Sequence, residues 1–336
     1  MENRVAEHRR RLGMSQLELA RASKLSRPLV SALETGRHVP SVKAALAVAE
    51  VLGTTVEEVF GTDALNRFVP ALGDKPPAAV AVTAVRVGGA LTYHPLAESG
   101  QSWGRADGFF RDGRVTLFDD CDPAGVALAG CDPALGLVSL LLPHQGPLRL
   151  VSIPAPSGAS LRALDEGRIH GALVHGRPGH LKEGARPVRR FNVARWSVGL
   201  ACLPGTQIDL EQLARGGLSA TRRDPESEIF QALERAMGAL GGTAGIRGPA
   251  VATHLDAARR VSYGAVEVAL TMEAAARAFN LEFVELEEHV SQLRIDEEWA
   301  GLPGIQAVLD VLSSGSFHAR LKAVGGYDLS ETGQVS

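Results

Sequence analysis

The sequence predicts a multidomain chain: an all-α head of five short helices, a small β module, and a bilobed α/β domain. Three observations carry this. Up to about residue 61, apolar residues recur at helical spacing between capping residues and glycine stops. Between residues 80 and 118 the pattern turns to short alternating or β-branched runs, broken by Gly88-Gly89 and Asp112-Gly113 as hairpin turns. From about Gly125, short apolar runs alternate with helical segments, the rhythm of a parallel sheet covered by helices.

Each element of the head has its own boundary residues. Asn3 caps a first helix that runs to Leu12, and Gly13 stops it. Ser15 caps the second helix, with Glu18 three residues on in a capping box. Ser26 caps the third; Pro28 falls in its first turn, where a missing N–H costs nothing, and Gly36 ends it. Pro40-Ser41 opens a fourth helix through Leu52, closed by Gly53, and Thr55 caps a last short one with Glu58 at its third position. The expected core is Leu12, Leu17, Ala20, Leu25, Val30, Leu33, Leu46, Ala49, Leu52, Val56 and Val59.

Residues 62–79 read as a linker stiffened by Pro70, Pro76 and Pro77, and residues 80–120 as the β module, a candidate dimer contact or transmission piece. In the domain spanning 124–330, strands are expected at 125–130, 148–153 and 169–174, with helices at 133–142 and 159–166. A second α/β half runs from Phe191 through Leu286, and helices at 305–313 and 317–324 close the chain. Two halves of this size suggest a cleft between them. The acidic run Glu282–Glu288 reads as a strand edge with a solvated face.

Composition narrows the class. The 336 residues are 45% hydrophobic and 22% charged, ordinary for a soluble globular protein. No charged-then-apolar leader opens the chain and no apolar run reaches the roughly 18 residues of a membrane span, so a cytoplasmic protein is expected. Cys121, Cys131 and Cys202 lack disulfide or zinc spacing and read as free thiols. Net charge is -3 overall, but residues 1–60 hold nine Lys/Arg against seven Asp/Glu. Affinity for nucleic acid must therefore be local or come from dimerisation.

The run Leu12-Gly13-Met14-Ser15-Gln16-Leu17 with Leu19-Ala20, Val30-Ser31, Leu33-Glu34-Thr35-Gly36-Arg37, Pro40-Ser41 and Ala49-Glu50-Val51-Leu52-Gly53 resembles the XRE-type helix-turn-helix family of phage-repressor-like regulators. The resemblance implies a third helix in the major groove of double-stranded operator DNA and a homodimer. By position, Ser26 caps that helix, Arg27, Pro28 and Ser31 face base edges, and Gln16 and Arg37 meet phosphates.

The larger domain resembles the periplasmic-binding-protein-like domain of molybdate-responsive regulators and some molybdopterin-biosynthesis proteins. Carriers are Ala129–Leu135, Ser157–Gly167 with His170, Trp196–Leu200, Thr253-His254-Leu255 and Gly325–Asp328. The resemblance implies an oxyanion effector such as molybdate or tungstate, or a molybdenum-cofactor-related compound. A glycine-rich Asn-Arg loop common in those relatives is replaced here by Thr221-Arg222-Arg223-Asp224-Pro225-Glu226-Ser227, so a small organic acid held by Arg222 or Arg223 stands beside it.

Free N–H groups at helix starts make anion sites, and three segments fit: 156–160 with Ser157 and Ser160, 222–227 with Arg222 and Arg223, and 252–254 with Thr253 and His254. Against this, Ser157, Ser160 and Thr253 serve equally as plain N-caps. His175, Cys131 and Asp132 stand at strand ends, where such folds bind ligands, though a loop or turn role is the plainer reading. Trp196 reads as core or hinge packing. The ten histidines show no HxxxH or HExxH spacing, so no metal site is expected, and no cofactor motif is present. Without a nucleophile elbow, P-loop or dinucleotide fingerprint the chain reads as a binder; an enzyme or scaffold of molybdopterin metabolism carrying a DNA-binding head is the alternative.

Overall fold

The computed structural model describes residues 3–60, 68–76, 78–96, 105–240, 242–243 and 245–335. Residues 62–67 and Pro77 of the expected linker, residues 97–104 of the expected β module and the side chain of Glu58, read as part of a helix cap, lie outside what is described. The chain forms two compact units, one of Met1–Phe68 with Gly89–Leu91, the other of Val69–Gly88 with Thr92–Ser336. Among the described residues, no helix is long and apolar enough to cross a membrane.

The first unit holds α1 (Val5–Arg11), α2 (Gln16–Ala22), α3 (Arg27–Glu34), α4 (Val42–Leu52) and α5 (Val56–Phe60). The helix starts follow the sequence. Ser15 accepts from the Glu18 N–H while the Glu18 carboxylate accepts from the Ser15 N–H, a complete capping box. Ser26 and Ser41 cap α3 and α4, and Gly53 takes the left-handed conformation that ends α4. Arg4 holds the N-cap position of α1, and Asn3 just before it does the capping work expected of it: its Oδ1 accepts from the Val5 N–H at 3.2 Å while its amide donates to the Leu33 carbonyl at 2.6 Å. Ser15→Ala is expected to destabilise this unit by about 1 kcal/mol, read by urea denaturation of the full chain. An unchanged midpoint would count against the box as a stabilising feature.

The core of this unit differs in part from expectation. Val5, Leu19, Ala20, Val30, Leu33, Ala45, Val48, Leu52, Val59 and Phe60 are buried together. Leu12, Leu17 and Leu46, expected inside, are exposed at 49%, 45% and 57%. The reason is helical phase. In α2, Leu17 and Leu19 stand some 200° apart, and only one can face inward. In α4, the inward stripe is Ala45, Val48 and Leu52, which leaves Leu46 outside.

After the helices, β1 (Phe68–Pro70), β2 (Val80–Val87), β3 (Ala90–Pro95), β4 (Gly108–Arg111) and β5 (Arg114–Leu117) form a five-stranded sheet in the order β1-β3-β2-β4-β5. Asp112 and Gly113 turn β4 into β5, both with positive φ, as a two-residue hairpin of this type requires. Asp107 fastens this sheet: one carboxylate oxygen accepts from Thr83 at 2.7 Å, from the Ala84 N–H at 2.7 Å and from Arg149 at 2.6 Å.

The remainder is a six-stranded sheet, order β10-β9-β11-β8-β6-β7. Its strands are β6 (Val126–Gly130), β7 (Leu150–Ile153), β8 (Gly171–Gly176), β9 (Val188–Cys202), β10 (Val268–Met272) and β11 (Glu282–Asp296). β6 runs parallel to β7 and β8, as the βαβ rhythm predicts, with α6 (Ala134–Leu141) and α7 (Ser157–Asp165) as the crossovers. The other half is antiparallel. β9 and β11 pair along nearly their whole 15-residue lengths, with register shifts between Glu285 and Glu287 and between Ser291 and Gln292. The end of β11 pairs with β8, while Val198–Cys202 of β9 carries β10, so these two strands join the two lobes. Among the described residues, the acidic start of β11 has no partner on its β8 side, and it is largely solvated, as expected. The second lobe adds α8 (Leu210–Ala214), α9 (Glu228–Met237), α10 (His254–Ser262) and α11 (Glu273–Ala278), and α12 (Pro303–Leu312) and α13 (Gly315–Val324) pack on α6.

Candidate functional site

Two groups of residues stand out, one in each unit. In the first, α3 buries Val30 and Leu33 and presents Arg27 and Pro28 to solvent, with Ser31 half-buried one turn on. Ser26 caps the helix through the Leu29 N–H at 3.3 Å. The side chains of Arg27 and Arg37 make no hydrogen bond or ion pair within the described residues, so both cations are available to a partner. Arg9 is different: its guanidinium is clamped on Glu34, with N···O distances of 2.5 and 3.2 Å. Gln16 donates its amide to the same carboxylate at 2.8 Å, which braces the start of α2 against the end of α3. These hydrogen bonds hold the Glu34 carboxyl below its usual range although burial alone would raise it.

The second group lies where β6, β8 and α10 end or begin. Cys131 follows β6, His175 is the penultimate residue of β8, and His254 opens α10. A Cβ at Gly130 would stand 2.7 Å from the Leu173 side chain, so glycine there lets β6 approach β8 closely just before Cys131. Cys131 Sγ lies 2.8 Å from His175 Nε2, and His175 Nδ1 lies 2.9 Å from His289 Nδ1. His289 Nε2 is 3.3 Å from Glu287, which is held by Arg235 at 2.6 and 2.7 Å. The Trp196 ring tilts against His175 at 4.7 Å, buried as core packing predicts.

This chain of contacts sets its own proton positions. Burial would raise the Glu287 carboxyl, but the Arg235 and His289 hydrogen bonds hold it below its ordinary range, so it only accepts. His289 therefore donates from Nε2 and accepts at Nδ1. His175 must then donate from Nδ1, leaving its Nε2 lone pair toward Cys131. Burial pushes the Cys131 thiol up to about 12, so sulfur carries the proton that completes the series. Burial, followed by the charges around it, lowers His175 and His254 well below the ordinary imidazole value, so both rings are neutral.

The other residues singled out from sequence fall around this cluster in distinct roles. Asp132 is buried and accepts from the Ala134 N–H at 2.9 Å, Tyr327 at 2.9 Å and Ser291 at 3.3 Å. Ser157 is not an N-cap: it is the first residue of α7, and its hydroxyl bridges the His175 N–H and carbonyl at 3.1 and 3.3 Å. Ser160 donates back to the Pro156 carbonyl at 3.1 Å. Thr253 caps α10 through the Asp256 N–H, as the plainer reading has it. Arg222 is exposed and donates to the Gly248 carbonyl at 2.9 Å. Arg223 is buried and donates to the Leu270 and Ala252 carbonyls at 3.4 and 3.1 Å. Cys131, Asp132, Thr253 and Leu255 line a cleft of about 310 Å³, and Arg222 and Arg223 line a second one of about 770 Å³.

Sequence reading missed His289, Glu287 and Ser291, which alternate along an acidic strand and carry no local signal. It also expected no metal-ligand set, because the histidines have no metal spacing. Cys131, His175 and His254 nevertheless bring one donor atom each within 4.8 Å of one another. Their separation in sequence hides what the β6–β8 pairing and the α10 start bring together.

A five-helix head joined to an α/β domain whose long strands β9 and β11 bridge two lobes defines the class of protein. Residues 5–59 match the helix-turn-helix family, and residues 139–313 match the PBP superfamily domain. The chain belongs to the helix-turn-helix family through its head and to the PBP superfamily through its larger domain. An HTH-type transcriptional regulator of Methanothermobacter thermautotrophicus is 39% identical over 64 residues, 19% of this chain and 93% of that protein. The regulator YgzD of Bacillus subtilis is 36% identical over 66 residues, 20% of this chain and all of that one. Among solved structures, the regulatory domain of HypT from Salmonella typhimurium is similar over 59% of this chain and 96% of its own, with 12% identity and a TM-score of 0.45.

Proposed function

We propose that this chain is a cytoplasmic one-component transcriptional regulator in which the head, residues 1–61, binds operator DNA and the domain over 124–330 binds a small effector. The observation that carries the DNA half is the third helix: Arg27 at its exposed start and Arg37 just beyond its end are cations without a partner among the described residues, whereas Arg9 is consumed by Glu34. Arg27, Pro28 and Ser31 are assigned to base edges and Gln16 and Arg37 to phosphates. A homodimer would set two heads on half-sites about 34 Å apart, with the segment 62–79 as linker and the module over 80–120 as the contact or transmission piece.

For the effector, the supporting observations are the cleft beside Cys131 and Asp132, the helix starts at Ser157 and Thr253, and the buried guanidinium of Arg223. Helix N-termini and a buried cation favour an anion. Molybdate, tungstate or a molybdenum-cofactor-related compound is the first class, and a small organic acid at Arg222 and Arg223 the second. The serine and threonine hydroxyls are engaged within the protein, so an anion there would rely on backbone N–H groups and Arg223.

The test is a thermal shift on the full chain with molybdate, tungstate and small organic acids, paired with anisotropy on DNA from upstream of its own gene. A specific effector at a hundred times its Kd is expected to stabilise the protein by about 2.7 kcal/mol and to change DNA affinity. A flat melting temperature with every oxyanion sinks the oxyanion reading. Turnover of a molybdopterin compound would replace the regulator with the enzyme alternative.

A further inference from the structure

We propose that Cys131, His175 and His254 form a binding site for a divalent transition-metal ion of the zinc type, built into the effector domain. The proposal deepens the reading of that domain as the sensing half, and rests on it for its regulatory meaning alone. One thiolate and two imidazoles are borderline-soft donors, the set that selects zinc and its first-row neighbours over magnesium or calcium. Their donor atoms lie within 4.8 Å of one another. The edges of a tetrahedral site are roughly 3.5 Å, so on loading the Cys131–His175 pair, now at 2.8 Å, must open and any separation near 4.8 Å must close.

His254 is the independent pointer to a ligand. It is fully buried, at 0% exposure, and neither ring nitrogen has a hydrogen-bond partner among the described residues. Protein interiors rarely leave such a group unsatisfied, because its desolvation is uncompensated. A metal bond to one nitrogen uses that lone pair.

His175 is prepared for the same role. Its Nδ1–H donates to His289, and His289 donates to Glu287, which Arg235 fixes. This is the outer-shell arrangement that fixes the tautomer and ring orientation of a metal-bound histidine and raises its basicity. The Nε2 lone pair is thereby directed at Cys131 Sγ. On loading, the metal takes the place of the thiol proton, which leaves to solvent; sulfur becomes a thiolate ligand and no electron is transferred. Cys131 lines the cleft and is only partly buried, which gives the ion a path in. Asp132 supplies nearby negative charge but spends its oxygens on Ala134, Ser291 and Tyr327. Arg223 opposes a bare cation, and formation of the thiolate offsets it. Three protein ligands leave one coordination position open toward the cleft for water or a small anion.

The test titrates tag-free, metal-stripped full-length protein with Co(II), then with Zn(II) in competition. Expected are one ion per chain, visible bands of tetrahedral intensity, and a near-ultraviolet thiolate-to-cobalt charge-transfer band. Cys131→Ser is expected to abolish the charge-transfer band and Cys202→Ser to keep it. His289→Ala, which removes only the outer-shell partner, is expected to weaken Zn(II) binding about 10–100-fold. Far-UV circular dichroism of each variant shows that the fold is kept. Should Cys131→Ser unfold, the His289→Ala and Cys202→Ser arms decide. Absence of a charge-transfer band in the wild type, or its persistence in folded Cys131→Ser, overturns the site. DNA affinity measured with and without Zn(II) tests the regulatory reading separately: a band without any DNA response keeps the site and removes its role as effector.

Discussion

Lowering the pH from 7 to 4.5 is expected to destabilise the larger unit by about 5 kcal/mol from His94 and His170 alone. Both are buried, and desolvation lowers each from 6.5 to about 4. The unfolded chain therefore binds protons between about 6.5 and 4 that the folded chain refuses. Stability from these groups is complete above the unfolded value and is lost as pH falls toward the folded one. Each contributes roughly 2.5 kcal/mol of loss at pH 4.5 by this linkage. Neutral His170 is also needed structurally, because its Nδ1 accepts the Ala127 N–H at 3.0 Å, which only the unprotonated ring can do. His175, His254 and His289 are lowered as well and act in the same direction. Asp132, raised by burial, acts in the opposite one and offsets part of the loss. Urea unfolding at pH 7.5, 6 and 4.5 measures the effect, with Trp299, packed edge-on to His170 at 5.1 Å, as the local probe. His170→Asn, which keeps an acceptor but does not titrate, should shrink the loss. Equal stability at pH 7.5 and 4.5 would refute the account.

The same histidines show what is legible in the sequence and what is not. Local rules read well: Ser15 with Glu18, Ser26 before Pro28, Asp112-Gly113 and the βαβ rhythm each concern residues within a few positions, and each appears in place. Phase within a short helix reads less well. Leu17 and Leu46 are as apolar as Leu19 and Val48, and only the packing partners choose between them. The cluster at Cys131 reads only in fragments, because it is made by strand pairing across more than a hundred residues. β11 places Ser291 opposite His175 and puts His289 opposite Trp196 on β9. No local pattern in an acidic run such as Glu282–Glu288 announces that its next histidine turns inward. The antiparallel half of the sheet was hidden for the same reason: β9 and β11 are long strands whose partner, and therefore direction, is decided far away in sequence.

Arg27→Ala is expected to remove sequence discrimination from DNA binding, a loss of about 1–3 kcal/mol for a bidentate contact to a base edge, with little change in affinity for unrelated sequences. Burying Val30 and Leu33 leaves Arg27 exposed and Ser31 half-exposed one turn on, and the Ser26 cap holds the start of that helix in shape without using Arg27. Glu34, at the other end of α3, is the residue that would repel phosphate. It is neutralised by Arg9 and capped by Gln16 instead of facing out, so the helix offers DNA an unopposed cation. Arg37→Ala makes the contrast. Lying beyond the helix end, it is assigned to a phosphate, so its loss should weaken all sequences alike and lower the slope of log affinity against log salt by about 1. The two variants thus separate readout from anchoring in one set of salt titrations on specific and scrambled duplexes. If Arg27→Ala lost affinity equally on both duplexes, α3 would be gripping the backbone and the base-reading assignment would pass to another element. If neither variant differed from wild type, the exposed cations of this head would have no part in DNA binding.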